Sequence, residues 1–185
     1  MIAALPNILT VLRLLVIPFF GILLYDESFL VAAIIYTAAM ATDTIDGEIA
    51  RRNDAVSSFG KIADPAADKL IAATAFVVLT VMGVLHPAFA VVFFAKEVLM
   101  VVGAFIFFKQ AKSLQMAEWF GKLAAISFFV AIVLTIFARY MGDDFGGGPF
   151  GVTAMVAMFG AVAINVMAFA LYVRHFIKAE RRKAD

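Results

Sequence analysis

The stretch from Asp43 to Asp68 reads DTIDGEIARRNDAVSSFGKIADPAAD and places charged residues between two apolar runs. The run before it is FLVAAIIYTAAMAT (29–42), and the run after it includes LIAATAFVVLTVMGV (70–84). Asp43 and Asp46 are three residues apart, a spacing that puts both on one face of a helix. A charge at mid-membrane costs at least ~2.5–3.5 kcal/mol on insertion scales, so such residues need partners or water. The pattern predicts two helices whose acidic faces meet near a membrane boundary.

The composition of the whole chain indicates that lipid is its main solvent. Hydrophobic residues make up 64% of the 185 residues and charged residues only 16%. Soluble domains have about 45–50% apolar and about 25% charged residues, and a chain of this length cannot bury so large an apolar excess in one core. The chain contains no cysteine, which excludes disulfides, thiol catalysis and thiolate metal sites.

The apolar runs predict an all-α integral membrane protein with six transmembrane helices in a single domain, 1–185. Each run has roughly 20 residues, enough to cross a bilayer as a helix. The first run lacks the pattern of a cleaved signal peptide, so we expect it to be a retained span. The expected spans lie near 6–25, 29–50, 59–84, 88–108, 119–139 and 151–173, followed by a basic tail, 174–185.

The basic residues predict the orientation in the membrane. Arg51, Arg52 and Lys61 flank the second break, and the tail 174–185 is rich in arginine and lysine. The loops expected on the opposite side carry the acidic residues Asp26, Glu27, Asp143 and Asp144. The positive-inside rule therefore places both termini and the acidic stretch on the cytoplasmic side of a multi-pass cell-membrane protein.

The acids of the second and third helices are candidate metal ligands. Gly60, Asp64 and Asp68 are spaced by four on one helical face, as Asp43 and Asp46 are by three. Carboxylates at close quarters repel one another unless cations lie among them. An all-oxygen set suits Mg²⁺ or Mn²⁺ rather than zinc. Two such ions could hold a diphosphate.

Small residues beside the acids leave room for a ligand. These are Gly47, Ala50 and Gly60, and Arg51 could pair with phosphate oxygens. Two other interpretations are open from the residues alone. The acids could be structural, as a buried ion-pair network or as a cytoplasmic loop, or they could line the pathway of a cation or proton transporter.

The spacing of these residues resembles the signature of CDP-alcohol phosphatidyltransferases, D-x2-D-G-x2-A-R-x8-G-x3-D-x3-D. All eight fixed positions match with the correct spacing, and they are Asp43, Asp46, Gly47, Ala50, Arg51, Gly60, Asp64 and Asp68. The resemblance implies a six-helix membrane enzyme, usually a homodimer. It also implies attack of an alcohol on the phosphorus of CDP-diacylglycerol nearest the lipid, with release of CMP.

The resemblance also implies a role for each matching residue. Asp43, Asp46, Asp64 and Asp68 would bind two divalent ions, Mg²⁺ or Mn²⁺, and Asp68 would be the catalytic base. The CDP part of the substrate would lie against a set of four residues: Gly47, Ala50, Arg51 and Gly60. The carboxylate chemistry agrees with these roles, since a suitably placed carboxylate can accept a proton from the acceptor hydroxyl.

The acceptor alcohol is less sharply indicated. The first helix (6–20) and the sequence DPAADK (64–69) resemble phosphatidylglycerophosphate synthases, whose acceptor is glycerol 3-phosphate. Lys122 is a candidate ligand for the acceptor phosphate. Two positions depart from the pattern of that subfamily: Lys96-Glu97 replaces the usual Arg-Glu, and residues 121–125 read GKLAA instead of Gly-Lys-x-Lys-Thr. Cardiolipin synthases, which use phosphatidylglycerol, are an alternative in the same superfamily, and inositol-phosphate transferases are a third option.

Two polar features inside the spans are predicted to shape the bundle. Lys96 and Glu97 are expected to form a pair that faces the bundle interior and shapes the site. Asn165, a lone polar residue in the sixth span, is expected to make a hydrogen bond between helices.

Overall fold

The computed structural model describes the backbone of residues 5–52, 60–107 and 115–184, with the side chains of residues 11–42, 66–102, 121–171, 173 and 174. Within these ranges the chain forms six helices joined by turns, and it has no strand. They are α1 (Leu5–Tyr25), α2 (Phe29–Arg52), α3 (Gly60–Val81), α4 (Pro87–Phe107), α5 (Gln115–Tyr140) and α6 (Gly148–Ala184). The prediction of six helical segments is confirmed.

Several helix ends differ from the sequence expectation by three residues or more, among them the starts of α5 (expected near 119) and α6 (expected near 151). α3 ends at Val81 rather than near residue 84, because Gly83 takes a left-handed backbone conformation (φ 73°) that ends a helix. α6 continues to Ala184, so the basic segment 174–184 extends the last helix. That segment, RHFIKAERRKA, has no glycine or proline and is rich in residues with high helix propensity.

Each helix packs on at least two others. α5 and α6 share the most extensive contact, α1 packs on α2 and α3, α2 also packs on α5, and α4 packs on α3 and α6. Aromatic rings fill the centre. Tyr36 of α2 stacks between Phe20 and Phe129, with ring centroids 5.5 and 5.4 Å apart. Phe93 stacks on Phe76 with ring centroids 4.7 Å apart and meets Phe128 edge-on at 5.7 Å.

The surface of the bundle is strongly apolar, which suits lipid as its surroundings. Large side chains such as Phe19, Val91 and Val156 are each more than 60% exposed, while Arg13 and Asn165 are buried. Among the described residues, two helical segments are long and apolar enough to cross a bilayer, 121–140 and 148–171, each with mean hydropathy 2.2. Shorter apolar helical segments cover 11–25 and 29–42. The crossing of all six helices and the side on which the termini lie stay predictions.

The turn between α5 and α6 is closely packed around two aspartates. The Asp143 carboxylate accepts hydrogen bonds from the backbone N–H groups of Phe150 (2.8 Å) and Gly151 (3.3 Å), which caps the first turn of α6. Asp144 forms an ion pair with Arg139. Gly151 lies against the backbone of Asp144 so closely that an added Cβ would be 1.9 Å from the Asp144 carbonyl oxygen.

Candidate active site

The predicted metal ligands lie on two helices that are consecutive along the chain. Asp43 and Asp46 are on the second half of α2, and Asp64 and Asp68 are on the first half of α3. α2 ends at Arg52 and α3 begins at Gly60, so a short connection holds the two acidic segments in the same part of the molecule. The helical spacing on which the metal prediction rests is therefore present in the backbone.

Most of the predicted site side chains lie outside those that the structure describes. These are Asp43, Asp46, Gly47, Ala50, Arg51, Gly60 and Asp64. Their assignment as metal ligands and as the CDP site stays a prediction. Asp68 is the member of the set whose side chain is described.

Asp68 forms an ion pair with an arginine from the first helix. Arg13 Nη1 donates to Asp68 Oδ1 at 3.1 Å, and both residues have further interactions beyond this bond. The Arg13 side chain is only 5% exposed, whereas that of Asp68 is 26% exposed. The guanidinium thus fixes the carboxylate from the buried side, and the carboxylate stays reachable from outside.

Arg13 lies in the first helix, within the stretch 6–20, and its contact with Asp68 is not predicted by the sequence. The feature of the sequence that indicates such a contact is the position of Arg13 within an apolar run, because a charge inside a membrane span needs a partner. The sequence does not identify Asp68 as the partner, because it is 55 positions away.

An apolar groove between α1 and α2 leads to Arg13. It has a volume of about 260 Å³ and is lined in part by Leu12, Val16, Ile35 and Ala39, with Arg13 and Thr42 as its polar members. Thr42 immediately precedes Asp43 on α2. The groove therefore joins an apolar surface to the part of the chain that carries the acidic motif.

A second group of charges links α3 to α4. Glu97 Oε2 lies 2.6 Å from Lys69 Nζ, and Glu97 Oε1 lies 2.7 Å from Lys96 Nζ. The expected Lys96–Glu97 pair is confirmed, and Lys69, the residue after Asp68, extends it. Lys96 Nζ also lies 5.9 and 5.8 Å from the ring centroids of Phe93 and Phe128, within cation–π range.

A small cavity of about 50 Å³ lies beyond Lys96, between α4, α5 and α6. Lys96, Gly121, Ala124, Asn165 and Phe169 are among its lining residues. The predicted interhelical hydrogen bond of Asn165 is confirmed, since its Nδ2 donates to the Ala124 carbonyl of α5 at 3.1 Å. Lys122, the candidate acceptor ligand, is exposed on α5 directly after Gly121. Its role stays a prediction.

The chemistry of the donor set fits a hard divalent cation. Asp68 shows that a carboxylate of this set is held in the bundle by an arginine and is still about a quarter exposed. Asp64 is one helical turn before it. Carboxylate oxygens are the ligands that Mg²⁺ and Mn²⁺ prefer.

Comparison with known proteins agrees with this arrangement. Residues 3–174 match the sequence model of the CDP-alcohol phosphatidyltransferase family. A "CDP-diacylglycerol--glycerol-3-phosphate 3-phosphatidyltransferase" of Pseudomonas fluorescens is 46% identical over 77 residues, which is 40% of each chain. A "Probable phosphatidylglycerophosphate synthase" of Mycobacterium tuberculosis is 30% identical over 183 residues, 96% of this chain and 83% of that protein. A Bacillus subtilis protein with the same name as the Pseudomonas one is 32% identical over 143 residues, 69% of this chain and 74% of the other.

The match covers α1 to α5 and α6 as far as residue 174, including the helices that carry Arg13, the four aspartates and the Lys96–Glu97 pair. The family match favours an enzyme over an ion transporter, the other function with which the acidic residues alone are compatible. The chain spans about two fifths of the Pseudomonas relative and most of the Mycobacterium one. This protein belongs to the CDP-alcohol phosphatidyltransferase family of membrane phospholipid enzymes.

Proposed function

We propose that the protein transfers a phosphatidyl group from CDP-diacylglycerol to glycerol 3-phosphate, releasing CMP and forming phosphatidylglycerophosphate. The observation that carries this proposal is the similarity along almost the whole chain to a protein named as a phosphatidylglycerophosphate synthase. The acidic motif and its helical placement support the phosphoryl chemistry. Relatives named for glycerol 3-phosphate support the acceptor.

Four aspartates would hold two Mg²⁺ or Mn²⁺ ions: Asp43, Asp46, Asp64 and Asp68. When bound, the ions offset negative charge on the diphosphate and make the phosphorus more electrophilic. Arg13 supports Asp68 in this role, because its ion pair fixes the orientation of the carboxylate from the protein interior.

The donor substrate has a nucleotide end and a lipid end. The CDP end would lie against Gly47, Ala50 and Gly60, with Arg51 paired to phosphate oxygens. The groove between α1 and α2 suits the lipid end, because most of its lining is apolar and its polar residues are Arg13 and Thr42. An acyl chain in this groove would place the diphosphate near the acidic motif.

Asp68 would act as the general base. Its carboxylate would accept the proton of the acceptor hydroxyl as that oxygen attacks the phosphorus nearest the lipid. The bond between this phosphorus and the CMP oxygen then breaks, and CMP leaves with the electron pair. Lys122, exposed near the start of the described part of α5, would bind the phosphate of glycerol 3-phosphate.

The enzyme would be a multi-pass protein of the cell membrane with six spans, and it would act as a homodimer. The excess of arginine and lysine near the motif and in the 174–184 segment supports cytoplasmic termini and a cytoplasmic active site. That placement suits the reaction, because a cytosolic polar acceptor can then reach a lipid-borne donor.

The deciding experiment measures CMP release from CDP-diacylglycerol in detergent or vesicles with Mg²⁺ or Mn²⁺. Each alcohol is offered separately: glycerol 3-phosphate, phosphatidylglycerol and inositol phosphate. Release that depends on glycerol 3-phosphate, with phosphatidylglycerophosphate as the product, supports the proposal. Release only with phosphatidylglycerol would make the protein a cardiolipin synthase, and the proposal would be wrong.

A further inference from the structure

The groove between α1 and α2 is shaped by two alanines of α2. The α2 residues of its lining recur at intervals of three and four and so form one stripe of the helix: Ile35, Ala38, Ala39 and Thr42. Ala39 packs against the hydrophobic core, whereas Ala38 is exposed. The side chain of alanine is a single methyl group, so these two small residues leave space between the helices.

The groove opens sideways onto the apolar surface of the bundle. Leu12 on its α1 wall is 50% exposed, and Ala38 on its α2 wall is exposed as well. A lipid chain gains no hydrophobic free energy by moving from the bilayer into such a groove, because lipid tails are as apolar as the lining. The groove can therefore orient a lipid chain more than it can increase its affinity.

One end of the groove lies beside the candidate base. Arg13 belongs to the lining, and its Nη1 donates to Asp68 Oδ1 at 3.1 Å. α1 and α2 are joined by a short turn and run antiparallel, so Thr42 lies at the same level as Arg13. A chain in the groove is thus directed with one end at the Arg13–Asp68 ion pair.

The dimensions of the groove suit a segment of one hydrocarbon chain. From Ile35 to Thr42 the stripe is about 10 Å long, given the helical rise of about 1.5 Å per residue. A volume of about 260 Å³ over that length corresponds to a cross-section of about 25 Å², close to that of one extended chain. The apolar part of one leaflet is about 15 Å deep, so the methyl end of a long chain would extend beyond the groove.

Building on the proposed function, we propose that this groove binds one of the two acyl chains of CDP-diacylglycerol and that Ala38 and Ala39 determine which chains it accepts. The segment next to the ester lies between the helices, and the second chain stays in the lipid. The groove then selects against bulk near the ester and tolerates differences near the methyl end. Its effect on catalysis is to direct the diphosphate to the end where Arg13 holds Asp68.

Ala38→Leu tests this assignment, because it fills the groove from its exposed side. The two donors are dioleoyl and dibutanoyl CDP-diacylglycerol, and butanoyl chains are too short to pass Ala38, about 6 Å from Thr42 along the helix. We expect kcat/KM for the dioleoyl donor to fall by about tenfold or more, since a small misplacement of reacting groups has effects of that size. The dibutanoyl donor should keep nearly its wild-type kcat/KM.

Ala41→Leu is the matched control. Ala41 is also an exposed alanine of α2, but it does not line the groove. This variant should keep the wild-type ratio of the two kcat/KM values. An unchanged ratio in Ala38→Leu, or an equal change of the ratio in both variants, overturns the proposal.

A second change on the opposite wall separates a filled groove from a damaged protein. Leu12→Ala, added to Ala38→Leu, returns space to the groove from the α1 side. The double variant should recover most of the activity with the dioleoyl donor. Failure to recover counts against the proposal, because general damage to the fold would not be repaired by a further truncation.

Photolabelling tests the groove in the wild-type protein without any variant. Two CDP-diacylglycerol probes, each with a diazirine near the ester of one chain, are photolysed with the protein in phosphatidylcholine vesicles. Label on residues 12–16 and 35–42 from one probe only, removed by excess unlabelled CDP-diacylglycerol, supports the proposal. Label there from neither probe or equally from both, or label that the excess does not remove, overturns it.

The labelling also separates failure of this proposal from failure of the proposed function, because it needs no acceptor. CMP release with phosphatidylglycerol alone would change the acceptor and leave the groove assignment as it is. Specific label without CMP release for any alcohol would overturn the proposed function and uphold the groove. CMP release with glycerol 3-phosphate but without specific label would overturn the groove assignment alone.

Discussion

Arg13 and Asp68 are 55 positions apart in the sequence and form an ion pair, with Arg13 Nη1 3.1 Å from Asp68 Oδ1. The contact joins the first helix to the helix that carries the second half of the acidic motif. It explains why an apolar helix contains an arginine that is 6% exposed. It also suggests that the orientation of the candidate base is controlled from α1.

Replacement of Arg13 should therefore impair catalysis more than it impairs folding. We expect Arg13→Gln to lower the rate of CMP release by roughly 10–100-fold, the usual effect of losing a residue that orients a metal-binding side chain. Arg13→Lys should recover only part of the activity, because lysine keeps the charge but lacks the planar fork of arginine. The measurement is the rate at saturating CDP-diacylglycerol and metal.

Arg139→Gln is the matched control for this variant. Arg139 also pairs with an aspartate, Asp144, but in the turn between α5 and α6, away from the acidic motif. Similar losses of activity in the two variants would contradict a special role for Arg13.

Asp68→Asn should abolish transfer. The amide cannot accept the proton of the acceptor hydroxyl, and it is a weaker ligand for a divalent ion than a carboxylate. Asp26→Asn, an exposed change in the α1–α2 connection, should leave the rate unchanged. Activity of Asp68→Asn that is restored by excess Mn²⁺ would indicate a metal ligand rather than a base, and substantial turnover without added ion would rule out both roles.

Glu97→Gln should destabilise the bundle. The carboxylate is 17% exposed and binds two lysines, so its neutralisation leaves two ammonium groups without their anion. We expect a loss of roughly 1–3 kcal/mol, at the low end because the Lys69 side chain is 47% exposed and can reach water. Thermal unfolding in detergent measures the loss, and an unchanged Tm would show that the two ion pairs contribute nothing to stability.

Two glycines of α6 should respond oppositely to alanine. Gly151→Ala brings a Cβ to 1.9 Å from the Asp144 carbonyl oxygen, so the turn must move and the Tm should fall. Gly160→Ala meets no atom within 4 Å and should leave the Tm unchanged or raise it, because alanine favours a helix by about 1 kcal/mol over glycine. Equal effects of the two changes would contradict the close packing of this turn.

The sequence could predict the features that depend on neighbouring residues. Apolar runs of the right length predict six helices, with every observed bound within a few residues except the end of α6, and the acids fall on α2 and α3 as their spacing indicates. The Lys96–Glu97 pair and the Asn165 hydrogen bond were also predictable in kind, since polar groups in apolar helices require partners. The helical form of 174–184 differs from the expected basic tail, because positive charge indicates a side of the membrane but not a backbone conformation.

The sequence by itself determined the family, because the identity and spacing of the eight motif residues can be found in the sequence without a structure. Only the tertiary structure decided that Arg13 binds Asp68, that Lys69 joins Glu97, and that Asn165 shares a cavity with Lys96. The physical reason lies in the range of the interactions. Helical periodicity is fixed by residues three and four apart, whereas the helix that meets a given face is selected by packing across the whole bundle.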